Sequence, residues 1–111
     1  MPHIIIELSD NLAPQAQFIV ERIQQSAVSC GLFDSSSVKT RALIYQHFVL
    51  GNHSDSFIHV QAKILSGRTE RQKQDLSDCL IDCLQHHWPN EGCLSVEIID
   101  MDKQSYRKHQ K

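Results

Sequence analysis

The most constraining feature of this sequence is a pattern of elements that occurs twice. Residues 2–8 and 57–65 are rich in β-branched side chains that alternate on one face, which predicts strands. Each is followed by apolar residues at three- and four-residue steps, typical of an amphipathic helix, and then by a second strand at 38–50 or 94–99. Corresponding elements are offset by about 54 residues, which indicates an internal duplication.

The duplication predicts an α/β fold built from two βαβ units, about 2–50 and 57–100. The strands of each unit run parallel through a right-handed crossover. A hairpin at Gly51 joins the second and third strands and makes the halves antiparallel. We therefore expect a four-stranded mixed sheet with both helices on one face, in one domain spanning 1–111 with a polar tail at 102–111.

The sheet face opposite the helices is predicted to mix apolar with polar side chains, among them Leu43, Tyr45, His59 and Glu97. Such a face is too apolar to stay wholly in water and too polar for a dry core. We therefore expect another copy of the same chain to cover part of it, in a homo-oligomer.

Charge and cysteine usage limit the classes of partner. The 111 residues carry 11 basic and 13 acidic side chains, a net charge of -2, and this gives no positive field for nucleic acid or an anionic membrane. The opening segment is interrupted at Glu7, which is too early for a signal peptide or a membrane span. Four cysteines without a secretory signal indicate reduced thiols. The expectation is a cytoplasmic protein with no nucleic-acid or membrane partner.

Pro2 is the first candidate for chemistry. Removal of Met1 would leave a secondary amine on a rigid ring, and an α-amino group titrates near 8, so it needs neighbouring cations to act as a base at neutral pH. An arginine about 6 Å away disfavours the ammonium form by about 2–3 kcal/mol at an effective dielectric near 20. The alternative is that Pro2 only permits the removal of Met1.

Three stretches carry a family resemblance: the opening PHIIIELSDNL at 2–12, the glycine–leucine–phenylalanine step at 31–33, and FIHV at 57–60 followed by the Gly67–Arg68 pair. Together they span most of the first 70 residues. The chain resembles the 5-carboxymethyl-2-hydroxymuconate Δ-isomerases, a branch of the tautomerase superfamily.

The resemblance implies a homotrimer that moves a proton within an unsaturated 2-hydroxy or 2-oxo acid of aromatic compound catabolism. It implies no metal or organic cofactor, a di- or tricarboxylate substrate, Pro2 as the general base and Arg68 as a carboxylate ligand. The family also has an arginine-x-arginine pattern opening its second strand, where this chain has Lys39 and Arg41. Lys39 keeps the charge but lacks the fork that grips a carboxylate with two hydrogen bonds.

Two other kinds of site are weighed against this interpretation. Cys79 and Cys83 stand four residues apart with His86 and His87 beyond them, a spacing that can bind zinc. Both cysteines fall on the apolar stripe of the second helix, which favours core packing. A cysteine nucleophile is not supported, because no basic partner accompanies the remaining thiols.

The polar tail and the function of the fold each have two interpretations. The lysines and the arginine of the tail suit an acidic partner, but a frayed or subunit-wrapping terminus fits the missing periodicity better. The alternative function is that of a tautomerase-fold protein without the isomerase activity, serving as a ligand-binding or assembly module.

Overall fold

The computed structural model describes residues 1–111 and confirms strand–helix–strand twice over. In chain order the elements are β1 (His3–Ser9), a 3-10 segment (Asp10–Gln15), α1 (Ala16–Ser29), a 3-10 turn (Ser35–Ser37), β2 (Lys39–Tyr45), β3 (Phe57–Leu65), α2 (Glu70–His87) and β4 (Cys93–Met101). The chain around Pro14 adopts the tighter 3-10 geometry, and the first α-helix begins after it, at Ala16.

The four strands form one mixed sheet in the order β2-β1-β3-β4. Strands β1 and β2 are parallel, as are β3 and β4, and the two units meet antiparallel through β1 and β3. Because of this register, His3 lies beside Lys39 on one side and Lys63 on the other. A row of basic side chains therefore crosses the sheet near the beginning of the chain.

The predicted hairpin at Gly51 is wrong. Strand β2 pairs only with β1, and β1 lies between β2 and β3. Strand β2 also ends at Tyr45 rather than at residue 50, because its partner β1 ends at Ser9, which is opposite Tyr45. Residues 46–56 therefore form a connection that passes over the end of β1. The two halves are antiparallel because β1 pairs with β3, and a tight turn is not involved.

The hydrophobic core lies between the sheet and the two helices, on the face that the sequence predicts. Strands β1 and β3 alternate buried and half-buried residues along most of their length. The helices contribute apolar residues at three- and four-residue spacing, which form one stripe on each helix. The fully buried helix positions are Ile19, Ile23, Ala27, Leu76, Leu80 and Leu84.

The turn from β3 into α2 is fixed by two local devices. Gly67 has φ +112°, a left-handed conformation that side chains disfavour, and it ends the strand. Thr69 Oγ1 then accepts from the backbone N–H of Gln72, while the Gln72 side chain accepts from the backbone N–H of Thr69, and these two hydrogen bonds form a capping box. Arg68 lies between these devices, so its backbone is tightly held. Neither helix is long and apolar enough to cross a membrane.

Candidate functional site

The site is built around the amino end of β1. Pro2 is buried, and its carbonyl accepts the backbone N–H of Lys39 at 3.1 Å, immediately before the first strand pair. The burial and the hydrogen bond hold the ring of Pro2 at the start of a central strand. A rigid position of this kind is what a positioned base requires.

The terminal amine lies among positive charges from three different segments. The chain described here retains Met1, whose ammonium is 3.2 Å from Ser37 Oγ and stands in for an amine on Pro2, one residue further along. Burial lowers the pKa of this terminal amine, and the charges of Lys108, Arg68 and Lys39 lower it further. The terminus therefore has a reduced tendency to hold a proton.

Lys39 is directed towards the terminus. Its Nζ donates to the carbonyl of Ser37 at 3.2 Å and lies 3.9 Å from Met1 Sδ. Arg41, two residues along β2, is exposed and places a guanidinium nitrogen 3.2 Å from His3 Nδ1. The structure thus brings Lys39 to the terminus, whereas Arg41 contacts the neighbouring histidine.

Arg68 is held in place by the loop that follows α1. A guanidinium nitrogen donates to the carbonyl of Leu32 at 2.8 Å, and the guanidinium lies 5.5 Å from the centre of the Phe33 ring. These two contacts fix the orientation of the planar guanidinium. The glycine–leucine–phenylalanine step thus has a physical role, since it orients Arg68.

His3 and Tyr106 belong to the same cluster and were missed from the sequence. His3 Nε2 lies 2.9 Å from Tyr106 Oη, and the two rings meet edge to face with centres 5.9 Å apart. Burial lowers the pKa of His3, and the charges of Arg41 and Lys39 act in the same direction. The proximity of His3 to Pro2 was the only signal, because the sequence around Tyr106 has no periodicity.

The tail is anchored at Tyr106, which contacts β1 of its own chain through His3. Residues 107–111, beyond this anchor, are exposed and form no helix or strand. Lys108 of the tail is near enough to the terminal amine to lower the pKa of that amine. The tail adds a third cation to those of Lys39 and Arg68.

The cavities of the single chain lie beside this cluster rather than over it. The largest, about 630 Å³, lies between α1 and the edge of β2 and is lined in part by Lys39 and Arg41. A smaller one, about 390 Å³, is lined by Gly67, Arg68 and Lys103. Pro2 lines none of the three cavities.

The cysteine-rich face of α2 is not arranged as a metal centre. No group of three or more histidine, cysteine, aspartate or glutamate side chains is positioned to hold an ion. Cys83 packs against the core as expected, but Cys79 is exposed, so its placement in the apolar stripe is wrong. Burial raises the pKa of the Cys30 thiol, as does the neighbouring Cys79, which disfavours a thiolate nucleophile.

A mixed four-stranded sheet made of two βαβ units, with both helices on one face and a cationic cluster at the amino end of β1, defines a tautomerase-like protein. The family model for 5-carboxymethyl-2-hydroxymuconate isomerase matches residues 2–111. The chain belongs to this isomerase family, which confirms the resemblance found in the sequence, and it is an isomerase.

The individual relatives are distant in sequence. A 5-carboxymethyl-2-hydroxymuconate Delta-isomerase of Escherichia coli is 24% identical over 92 residues, covering 79% of this chain and 73% of that protein. A solved 5-carboxymethyl-2-hydroxymuconate isomerase from Deinococcus radiodurans R1 has a TM-score of 0.84 at 24% identity, over 99% of this chain and 90% of that one. A fused 4-OT described as a symmetric trimer has a TM-score of 0.72 at 16% identity, over 92% and 87%. These structures confirm the fold class.

Proposed function

We propose that this isomerase moves a proton within an unsaturated 2-hydroxy or 2-oxo acid of the 5-carboxymethyl-2-hydroxymuconate type, with Pro2 as general base once Met1 is removed. The observation that carries the proposal is the position of the chain terminus, half-buried among the charges of Lys39, Arg68 and Lys108. The family to which the chain belongs supports the class of reaction.

The proposed chemistry needs the amine of Pro2 to be neutral. A neutral secondary amine can take a proton from a dienol or from the carbon next to a carbonyl, and the resulting ammonium can return it further along the conjugated system. Because cations disfavour a second positive charge nearby, the surrounding lysines and arginine favour the neutral amine before the reaction. The burial of Pro2 and the hydrogen bond from Lys39 to its carbonyl hold the residue at the start of β1.

The same cations have a second role in this proposal. Proton removal leaves negative charge on the substrate oxygen, and fixed positive groups stabilise that charge in the transition state. Arg68 binds a substrate carboxylate, while Lys39 and Arg41 contribute charge from β2. Removal of Met1 also frees the space that its side chain takes beside Lys39.

The proposed assembly is a homotrimer. Leu43 is 53% exposed and Val49 is 95% exposed in the single chain, and both belong to the part of the molecule opposite or beyond the helices. Burial of such side chains favours association. Light scattering coupled to size exclusion would then give a mass three times that of the 12.7 kDa chain, and a monomeric mass would contradict the assembly.

The activity is tested by following the ketonisation of 5-carboxymethyl-2-hydroxymuconate in the ultraviolet. The protein must first be shown by intact mass to lack Met1. Pro2→Ala serves as the matched variant because it keeps the cations but replaces the rigid secondary amine with a primary one. Activity that falls at least 100-fold in Pro2→Ala supports the proline base. Equal activity in both proteins contradicts it, and no activity in either would favour the binding-module alternative.

A further inference from the structure

The C-terminal tail is folded rather than loose where it leaves β4. Asp102 accepts the backbone N–H of Tyr106 on its carbonyl oxygen at 3.0 Å, and its carboxylate accepts the Ser105 hydroxyl at 2.8 Å. The backbone N–H of Lys103 donates to Ser66 Oγ at 3.2 Å. Short aspartate side chains stabilise turns in this way. The turn redirects the tail towards β1.

Tyr106 is the anchor of this tail. It is the only residue between 102 and 111 that is not exposed. Its hydroxyl and ring both contact His3, at the distances given above. An aromatic residue that combines an edge-to-face contact with a hydrogen bond is a stable docking point.

The protonation of His3 follows from its partners. An arginine donates hydrogen bonds and accepts none, so the contact from Arg41 makes Nδ1 an acceptor. The proton of the neutral ring is then on Nε2, which donates to Tyr106 Oη. His3 thus accepts a hydrogen bond from Arg41 of β2 and donates one to Tyr106 of the tail, so it links the tail to β2. It leaves the hydroxyl proton of Tyr106 free to donate.

Lys108 is two residues beyond the anchor, so the contact of Tyr106 with His3 keeps the backbone of Lys108 within about 7 Å of Tyr106, near the amino end of β1. Lys108 is exposed to solvent. Of the charges that lower the pKa of the terminal amine, Lys108 has the largest effect, ahead of Arg68 and Lys39. The Lys108 side chain makes no hydrogen bond of its own, and the nearest contact between the tail and β1 is that of Tyr106 with His3.

We propose that the folded tail is a wall of the substrate site, in which Tyr106, held by His3, is a positioning residue and Lys108 binds a second carboxylate of the substrate. This inference rests on the proposed function. It makes the enzyme selective for substrates with at least two carboxylates. It also supplies a cation from the tail in a chain whose β2 has Lys39 where the family pattern has arginine.

The first test separates binding from turnover. In Lys108→Gln the KM for 5-carboxymethyl-2-hydroxymuconate, which carries three carboxylates, is expected to rise about fivefold, with kcat within twofold, since an exposed ion pair contributes modestly. A 2-hydroxydienoate with a single carboxylate is expected to show no change. Lys111→Gln is the matched control because it removes the same charge further along the same tail, and it is expected to leave both substrates unaffected.

The second test asks whether Tyr106 acts through Lys108. In the Tyr106→Ala background, Lys108→Gln is expected to change the KM less than twofold, because the tail is already undocked. Undocking also exposes the imidazole, so the pKa of His3 measured by NMR is expected to rise in Tyr106→Ala. The positioning role would be overturned if the two substitutions raised the KM by independent factors that multiply in the double variant. It would also be overturned if the pKa of His3 did not change in Tyr106→Ala.

A third measurement does not depend on catalysis. Calorimetric titration with muconate, a dicarboxylate without the hydroxyl group, is expected to show binding that Lys108→Gln weakens about fivefold and Lys111→Gln leaves unchanged. If the processed enzyme does not isomerise its substrate but binds muconate in this way, the proposed function fails and the tail inference stands. Absence of muconate binding, or binding that is indifferent to Lys108, overturns the tail inference.

Discussion

Replacement of Arg68 by alanine tests the site most directly, because the structure shows what this side chain already contacts. One guanidinium nitrogen donates to the carbonyl of Leu32 at 2.8 Å, and Phe33 lies against the group. The guanidinium is therefore oriented before any substrate arrives, and little ordering is needed on binding. A preformed fork of this kind is suited to a carboxylate.

The expected loss can be worked out from these contacts. A hydrogen bond to a charged group contributes about 1.5–3 kcal/mol, so Arg68→Ala is expected to lower kcat/KM by about 10- to 150-fold. The variant also loses the contacts with Leu32 and Phe33, which contribute about 1–2 kcal/mol to the free energy of unfolding. The protein has to be assayed below its lowered melting temperature for the two effects to be separated.

The pH dependence gives the second readout. The base acts when neutral, so the rate rises with pH through the pKa of the Pro2 amine. Arg68 lowers the pKa of the Met1 amine through its charge, and we expect the same effect on the amine of Pro2 one residue along. Without that charge, the acid limb of the kcat/KM profile is expected to move to higher pH. Arg68→Lys keeps the charge, so its limb stays in place while kcat/KM falls by a smaller factor.

The assay is the ultraviolet ketonisation measurement across pH, with Arg71→Ala as the matched control. Arg71 is three residues further along the chain, its side chain is 83% exposed, and it pairs with Asp75 within α2. The control is expected to stay within twofold of the unmodified enzyme. If Arg68→Ala keeps its kcat/KM within twofold and its acid limb unmoved, or if the control falls equally, Arg68 is not the carboxylate ligand.

Three further outcomes follow from the fold. The folded protein lowers the pKa of His3, so the stability that His3 contributes above the ordinary histidine pKa is lost as the pH falls through the folded pKa. His3→Asn removes this titration and is expected to make the free energy of unfolding less dependent on pH. Urea unfolding at pH 7 and pH 5 measures the difference. Leu80→Ala, at a fully buried position, is expected to lower the free energy of unfolding by about 2–5 kcal/mol in the same assay. Thr69→Ala removes the cap of α2 and is expected to lower it by about 1 kcal/mol, and an unchanged midpoint would contradict the cap.

Much of the fold could be predicted because it depends on local patterns. The period of the apolar residues distinguishes strands from helices, and the capping box at Thr69 and Gln72 marks where α2 begins. Which edges of the two βαβ units join is not a local property. The hairpin was inferred from nearness along the chain, whereas the sheet joins through β1 and β3. Their regular alternation of buried residues is the pattern of central strands.

The residues of the site also fall into those that the sequence indicates and those that only the structure shows. Lys39 and Arg68 were expected at the site because the chain resembles the isomerase family, in the Gly67–Arg68 pair and in the basic positions that open the second strand. The contact between His3 and Tyr106 joins residues 103 positions apart. It depends on the turn at Asp102 and on the register of β1, and neither leaves a periodic signal. The contribution of Lys108 was therefore out of reach of sequence reasoning, although its charge was visible.

The geometry suggests how a lysine can replace an arginine at position 39 in the proposed site. Lys39 Nζ donates to the carbonyl of Ser37 and acts on the terminal amine through its charge, which a compact ammonium supplies as well as a guanidinium does. Directional binding of a carboxylate is needed from only one group, and Arg68 is already oriented for it by Leu32. If Lys108 binds the second carboxylate, a guanidinium binds the carboxylate that needs two directional hydrogen bonds, and ammonium groups are used where only a positive charge is needed. The substitution at 39 then changes which segment contacts the substrate without removing a step of the chemistry.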